Sequence, residues 1–290
     1  MSNMESSHVN NVESPPEYVS QPPPKYVPRQ SSSSSITLAP ESQIKGKTAI
    51  ITGGTKHLGG ETARELAKLG ANLFLHYRSD ANQAETFKQE LTKEFPDLKI
   101  EIYGSKLDKA KDLTKLFTTA KSKFPQGIDI AINNVGKVLK KPITEISEEE
   151  FDEMDIANNK SAFFFIKEAG ISLNDNGRIV SIVTSLLAAY TDSYGLYQGT
   201  KSGVEYYSKA ASKELHGHGI SVNCCAPGPM DTPFLYGQET EQSVAFFKTM
   251  GLHGRLTKVS DIVPIVRFLV TEGGWMTGQT LYASGGFTAH

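Results

Sequence analysis

Lys47-Thr48-Ala49-Ile50-Ile51-Thr52-Gly53-Gly54-Thr55-Lys56-His57-Leu58-Gly59-Gly60 is the stretch on which the reading of the fold depends. Its first half is a short, nearly continuous apolar run, as a strand buried on both faces requires. A glycine-rich turn follows. Beyond it Ala63, Leu66 and Ala67 fall at helical spacing until Gly70 supplies a stop. At a junction of strand, turn and helix, backbone N–H groups and the positive helix terminus can hold a pyrophosphate, and glycine lets it come close. No Lys-Ser or Lys-Thr pair follows the last glycines, which excludes a Walker A loop.

Working outward, strands are expected at Asn72 to Tyr77, Leu98 to Tyr103, Ile128 to Asn133, Arg178 to Thr184 and Ser221 to Cys225. Helices are expected between them: Ala81 to Glu94, a segment carrying Leu113, Leu116, Phe117 and Ala120, and about Glu148 to Ser172. This alternation predicts an α/β fold, a Rossmann-like doubly wound parallel sheet.

The 290 residues do not read as one piece. Seven of the 14 Pro lie in the first 43 residues, all 25 Gly lie at Gly46 or later, and Ser31 to Ser35 stand between. Residues 1–43 therefore read as a disordered tail with too little apolar surface to offset its ordering entropy. Residues 44–290 read as the folded part, long enough for one sizeable α/β domain. In the tail, Pro15-Pro16-Glu17-Tyr18 and Pro23-Pro24-Lys25-Tyr26 repeat a pattern similar to the Pro-Pro-x-Tyr ligand of WW domains. The alternatives are a solvated tail or one packed on a neighbouring subunit. A net charge of -2 excludes a strongly basic nucleic-acid binder and weakens any case for an anionic membrane surface. Cys224 and Cys225 are neighbours and cannot staple distant segments, which fits a reducing compartment. No apolar run approaches the roughly 18–20 residues of a membrane span, and the N-terminus lacks an apolar signal core. A soluble cytoplasmic protein is expected.

Two further stretches carry chemistry. In His76-Tyr77-Arg78-Ser79, Tyr77 stands where NAD-preferring folds place an acidic residue, and Arg78 beside it can fork onto a phosphate. Lys56 and His57 add positive charge from the facing loop, so NADPH is the expected cofactor, with NADH a weaker second. Tyr197 and Lys201 are four apart, on one face of a helix. A cation held close favours the phenolate, so Tyr197 can exchange a proton with a carbonyl oxygen.

Together these motifs resemble the short-chain dehydrogenase/reductase family, whose turn reads Thr-Gly-x-x-x-Gly-x-Gly. Thr52, Gly53 and Gly59 match, with Thr55 and Leu58 inside the turn, and His57 stands where the middle glycine usually is. The resemblance implies a catalytic set of Tyr197, Lys201, a hydroxyl before the Tyr, and Asn158 positioning a water, with Asn159 as its alternative. Ser185, twelve positions before Tyr197 and just after the strand end, is the expected hydroxyl; the commoner family spacing would select Thr184, its alternative. Asn134, Val135 and Gly136 would close the cofactor groove. Pro227, Gly228, Met230 and Thr232 would wrap the nicotinamide. Lys106 replaces the usual adenine-binding Asp and cannot accept a hydrogen bond, which leaves adenine to backbone groups at Leu107. No metal ligands are assigned.

The resemblance also implies a substrate lid at about 230–254, with Met230, Phe234, Leu186 and Tyr190 facing the substrate. Leu235, Tyr236, Phe246 and Phe247 add to its apolar lining, which favours small to medium aldehydes or ketones. An NADPH-dependent carbonyl reductase, assembled as a homotetramer, is the expected whole. The alternatives are a polyol or alcohol dehydrogenase working toward oxidation, and a low-turnover cofactor-binding module recruiting WW-domain proteins.

Overall fold

The apolar runs pair into one seven-stranded sheet: β1 (Thr48–Ile51), β2 (Asn72–Tyr77), β3 (Ile100–Gly104), β4 (Ile128–Asn133), β5 (Leu173–Ile182), β6 (Ser221–Pro227) and β7 (Thr280–Ala283). Every pairing is parallel, in the order β3-β2-β1-β4-β5-β6-β7. The computed structural model describes residues 43–189 and 191–288. Both Pro-Pro-x-Tyr segments, nearly all of the expected tail, and Tyr190 lie outside the described residues.

Successive side chains of a strand point to opposite faces, so β1 must be apolar throughout if both faces are covered. Ile51 packs with Leu73, Ile130 and Val180 beneath α1 (His57–Lys68) and α2 (Ala81–Glu94). Ile50 packs with Phe74, Ala131 and Ile179 beneath α3 (Ala110–Lys123). The latter core is aromatic: Phe74 meets Phe124 edge-on at 6.3 Å, and Phe117 meets Phe165 at 5.2 Å. Each such fully buried ring contributes about 1.5–3 kcal/mol by leaving water.

The helical stretch expected from Glu148 to Ser172 is three segments: α4 (Glu148–Met154), a π-helical turn (Asp155–Lys160) and α5 (Ser161–Ser172). α6 (Gly195–Glu214) joins α3 and α5 on that face. Next come α7 (Pro233–Tyr236) and α8 (Glu241–Met250); α9 (Val259–Val270) returns to pack beside α1 and α2. β5 starts at Leu173, earlier than its apolar pattern suggests, because Leu173 pairs with Ile128 across a register shift. β7 was not anticipated; it is a half-buried edge strand of four residues, too short to show a pattern.

The chain runs outward from β1 through β2 to β3, then returns to place β4 on the other side of β1. This reversal opens a crevice at the carboxyl ends of β1 and β4, where parallel α/β sheets bind ligands. No described helix is long and apolar enough to cross a membrane.

Candidate active site

The turn after β1 is built around glycines that cannot be exchanged. Gly53 adopts φ +59, and a Cβ on Gly59 would lie 2.2 Å from the Gly53 carbonyl oxygen. Thr52 braces the floor: its hydroxyl accepts the N–H groups of Asn134 (2.9 Å) and Val135 (3.2 Å). Asn134 Nδ2 donates back to the Thr52 carbonyl at 3.1 Å. His57, in place of the usual glycine, takes a left-handed φ of 49°, a conformation costing a residue with a Cβ about 1–2 kcal/mol. No side chain caps the start of α1, and its first turn holds no acidic residue.

His76, at the end of β2, was not singled out from the sequence. It is 2% exposed and ties three strand ends together. Nδ1 accepts the Gly53 N–H (3.3 Å), the other ring nitrogen donates to the Ser105 carbonyl (2.9 Å), and the His76 carbonyl accepts the Gly54 N–H (2.9 Å). Burial pulls its pKa down to about 4, outweighing the Ser105 bond, so the ring is neutral and its tautomer is set by these partners. Only the contact map identifies it, because its partners are backbone atoms of other loops.

Tyr197 and Lys201 are both buried on α6. The expected lowering of the phenol is not what the structure shows: burial pushes Tyr197 up to about 12, with a hydrogen bond from Thr184 working against the rise. Burial also pulls Lys201 down to about 8, and its ammonium donates to the Ile182 carbonyl at 2.9 Å. Thr184 and Ser185 both line the cleft with Tyr197, and Thr184 is the hydroxyl that counters the rise of the phenol. The Thr184 oxygen is oriented by the Leu186 N–H, 3.2 Å away.

Asn158 lies within the π-helical turn, a form that concentrates at functional sites. Its Oδ1 accepts the Lys137 N–H (2.7 Å), and its Nδ2 donates to the Lys137 carbonyl (2.8 Å) and the Thr200 hydroxyl (3.1 Å). The side chain thus braces the loop after β4 and does not line the cleft. It does approach Lys201: a Cβ placed on Gly136 would be 3.0 Å from Lys201 Nζ and 3.2 Å from Asn158 Oδ1. Asn159 turns the other way, donating to Asp155 at 2.7 Å.

One cleft of about 460 Å³ runs from the glycine turn to Tyr197. Gly53, Thr55, Lys56, His57 and Leu58 border one end, with Tyr77, Arg78 and Ser79 across from them. Asn134, Val135 and Gly136 form the middle, and Pro227, Gly228, Met230 and Thr232 the far wall. Leu186, Phe234, Leu235 and Phe247 line the Tyr197 end, joined by Tyr194, Gln238 and Phe287, which the sequence reading missed. Three assigned residues are absent from the wall. Gly59 packs under the turn, Asn158 braces from behind, and Leu107 is buried in the aromatic core. Tyr236 and Phe246 also turn away from the cleft, with Phe246 59% exposed.

A phosphate-accepting turn, a switch-point crevice and a buried Tyr–Lys pair in one cleft define an oxidoreductase of the Rossmann type. A family model described as enoyl-(acyl carrier protein) reductase matches residues 54–288. The chain is 33% identical over 262 residues to the NADPH-dependent aldehyde reductase-like protein, chloroplastic, of Arabidopsis thaliana, spanning 86% of this chain and 96% of that one. It is 31% identical to a short-chain type dehydrogenase/reductase of Picea abies, over 84% of this chain and 93% of that one. A crystal structure of a putative dehydrogenase from Burkholderia cenocepacia with bound NADP superposes with a TM-score of 0.82 at 48% identity, covering 86% of this chain and 96% of that one. The chain belongs to the short-chain dehydrogenase/reductase family.

Proposed function

We infer that the protein is an NADPH-dependent carbonyl reductase acting on small to medium aldehydes or ketones. The observation that carries this reading is the Tyr197 phenol, buried at the apolar end of the cleft with Thr184 and Ser185 beside it. A phenol held at about 12 is protonated at neutral pH, which suits a donor to a carbonyl oxygen.

The cleft fits NADPH. The uncapped start of α1 offers N–H groups to a pyrophosphate, and Gly53 and Gly59 keep the approach clear. Lys56, His57, Arg78 and Ser79 would hold the 2′-phosphate. Asp80, the nearby carboxylate, is engaged as the cap of α2, accepting the Gln83 N–H at 3.1 Å. Asn134 to Gly136 and Pro227 to Thr232 would border the nicotinamide, and Lys201 its ribose. NADPH supplies the hydride when bound. Tyr197 gives its proton to the carbonyl oxygen, Ser185 orients that oxygen, and Lys201 stabilises the phenolate left behind. Thr184 is the alternative orienting hydroxyl.

A Tyr197→Phe variant tests this directly. Aldehyde-dependent NADPH oxidation should fall about 100-fold or more while NADPH affinity is kept, because only the proton donor is lost. Near wild-type turnover would overturn the reading, and Thr184→Ala against Ser185→Ala separates the two hydroxyls.

The same reading assigns residues 44–290 to catalysis in a cytoplasmic homotetramer, checked by light scattering and by cell fractionation. For Pro15–Tyr18 and Pro23–Tyr26 a WW-domain ligand role stands against a solvated tail or one packed on a neighbouring subunit; equal capture of wild type and a Tyr18→Ala, Tyr26→Ala double variant by a tandem WW domain would exclude that role.

A further inference from the structure

The cleft is roofed by a segment that has little apolar hold on the rest of the fold. α7 buries none of its residues and α8 buries only Val244. Phe234 and Tyr236 are almost half exposed. Yet Met230, Phe234, Leu235 and Phe247 close one wall above Tyr197. Segments with so few buried apolar contacts open at low free energy unless something else ties them down.

The tie is polar and is centred on Glu239. Its side chain is fully buried and receives Lys140 Nζ at 2.6 Å and the Tyr194 hydroxyl. Lys140 also lies over the Tyr194 ring, 5.7 Å from its centroid, and the Lys140 N–H donates to Gln238 Oε1 at 2.9 Å. Burial alone would raise the Glu239 carboxyl; hydrogen bonds from Lys140, Ser243 and Tyr194 outweigh it and hold the group below its usual value. The three residues come from three places. Lys140 follows the Asn134–Gly136 groove, Tyr194 precedes the catalytic helix, and Glu239 joins α7 to α8. Tyr194 is moreover packed edge-on against Tyr197, with centroids 6.2 Å apart. Charge-assisted hydrogen bonds are the stronger kind, and removing one partner strands a buried charge.

We propose that Lys140, Glu239 and Tyr194 are positioning residues that clasp α7 and α8 over Tyr197 and so set the affinity for the carbonyl substrate. What lies beneath the roof rests on the reductase reading above; the clasp itself does not. The carbonyl end of the cleft is affected and the glycine-turn end is not, because all three residues lie at the Tyr197 end.

The test uses the full-length protein and compares Glu239→Gln, Tyr194→Phe and Lys140→Met with wild type, and Lys140→Arg as the conservative replacement. Carbonyl KM, kcat and NADPH affinity are measured, alongside limited chymotrypsin cleavage mapped within residues 230–250. For Glu239→Gln the expected result is a carbonyl KM raised about tenfold, NADPH affinity unchanged and faster cleavage of the roof, with Lys140→Arg recovering most of the effect lost in Lys140→Met. Unchanged KM and unchanged cleavage would overturn the clasp, as would equal losses of carbonyl and NADPH affinity, which signify general misfolding. Faster cleavage in the variants of a protein whose wild type reduces no carbonyl would uphold the clasp and remove the reductase reading instead.

Discussion

His76 shows how much one side chain decides in this fold. Its ring holds the N–H of Gly53 and the carbonyl of Ser105 at once, so β1, β2 and β3 end in a fixed relation. That arrangement needs a neutral imidazole. With its pKa held near 4 in the fold against an ordinary 6.5, the unfolded chain takes up a proton in this window and the folded one does not. Stability from this group is therefore intact above pH 6.5 and is lost as pH falls toward 4. At about 1.4 kcal/mol per pH unit, the full loss is about 3 kcal/mol. Urea unfolding of wild type should weaken more steeply between pH 6.5 and 4.5 than that of His76→Asn; parallel profiles would remove the role. Residues of this kind are hidden in a sequence because their partners are backbone atoms. Tyr197 and Lys201 were legible because their spacing on a helix is itself a pattern. The direction of the Tyr197 shift was not, since it depends on burial that only the packed cleft reveals. The placement of Thr184 and Ser185 together on the cleft wall was equally hidden; it follows from how the chain leaves β5.

Among elements, α1 has the least room for variation. Its third residue, Gly59, lies against the Gly53 carbonyl so closely that a methyl group would be 2.2 Å from that oxygen, a backbone atom that cannot swing aside. Gly59→Ala should cost about 1–3 kcal/mol of stability and weaken NADPH binding at least tenfold, read by thermal unfolding and fluorescence titration. β2 and β4 were legible to the residue because buried strands are continuous apolar runs with sharp ends. The π-helical turn at Asp155–Lys160 was not, since its sequence reads as ordinary helix; the wider turn directs Asn158 and Asn159 to different neighbours. β7 escaped because its four half-buried residues carry no periodicity, and its place is fixed by pairing with β6. The roof helices were legible as an apolar, aromatic loop, but not the clasp, whose three residues are brought together only by the tertiary fold.

For the molecule as a whole, the near balance of 30 basic and 32 acidic residues conceals a local asymmetry. Lys56, His57 and Arg78 gather at one end of the cleft, and apolar and aromatic side chains at the other. A ligand with a charged end and a neutral reacting end is oriented by that polarity alone. The bare start of α1 has a final consequence, which belongs to thermodynamic linkage. A helix whose first turn lacks a side-chain cap forgoes the roughly 0.5–2 kcal/mol that a cap contributes. The fold therefore carries a deficit that an anionic ligand makes good, and occupancy and folding become one equilibrium. Bound at 100 times its dissociation constant, NADP should raise the unfolding free energy by about 2.7 kcal/mol, seen as a concentration-dependent rise in Tm. Inorganic pyrophosphate, which meets the turn without reaching Tyr197, should raise it by less, and an absence of any rise with either would mean that the turn is not the ligand's anchor. By this linkage the stability of the fold should rise and fall with its nucleotide occupancy.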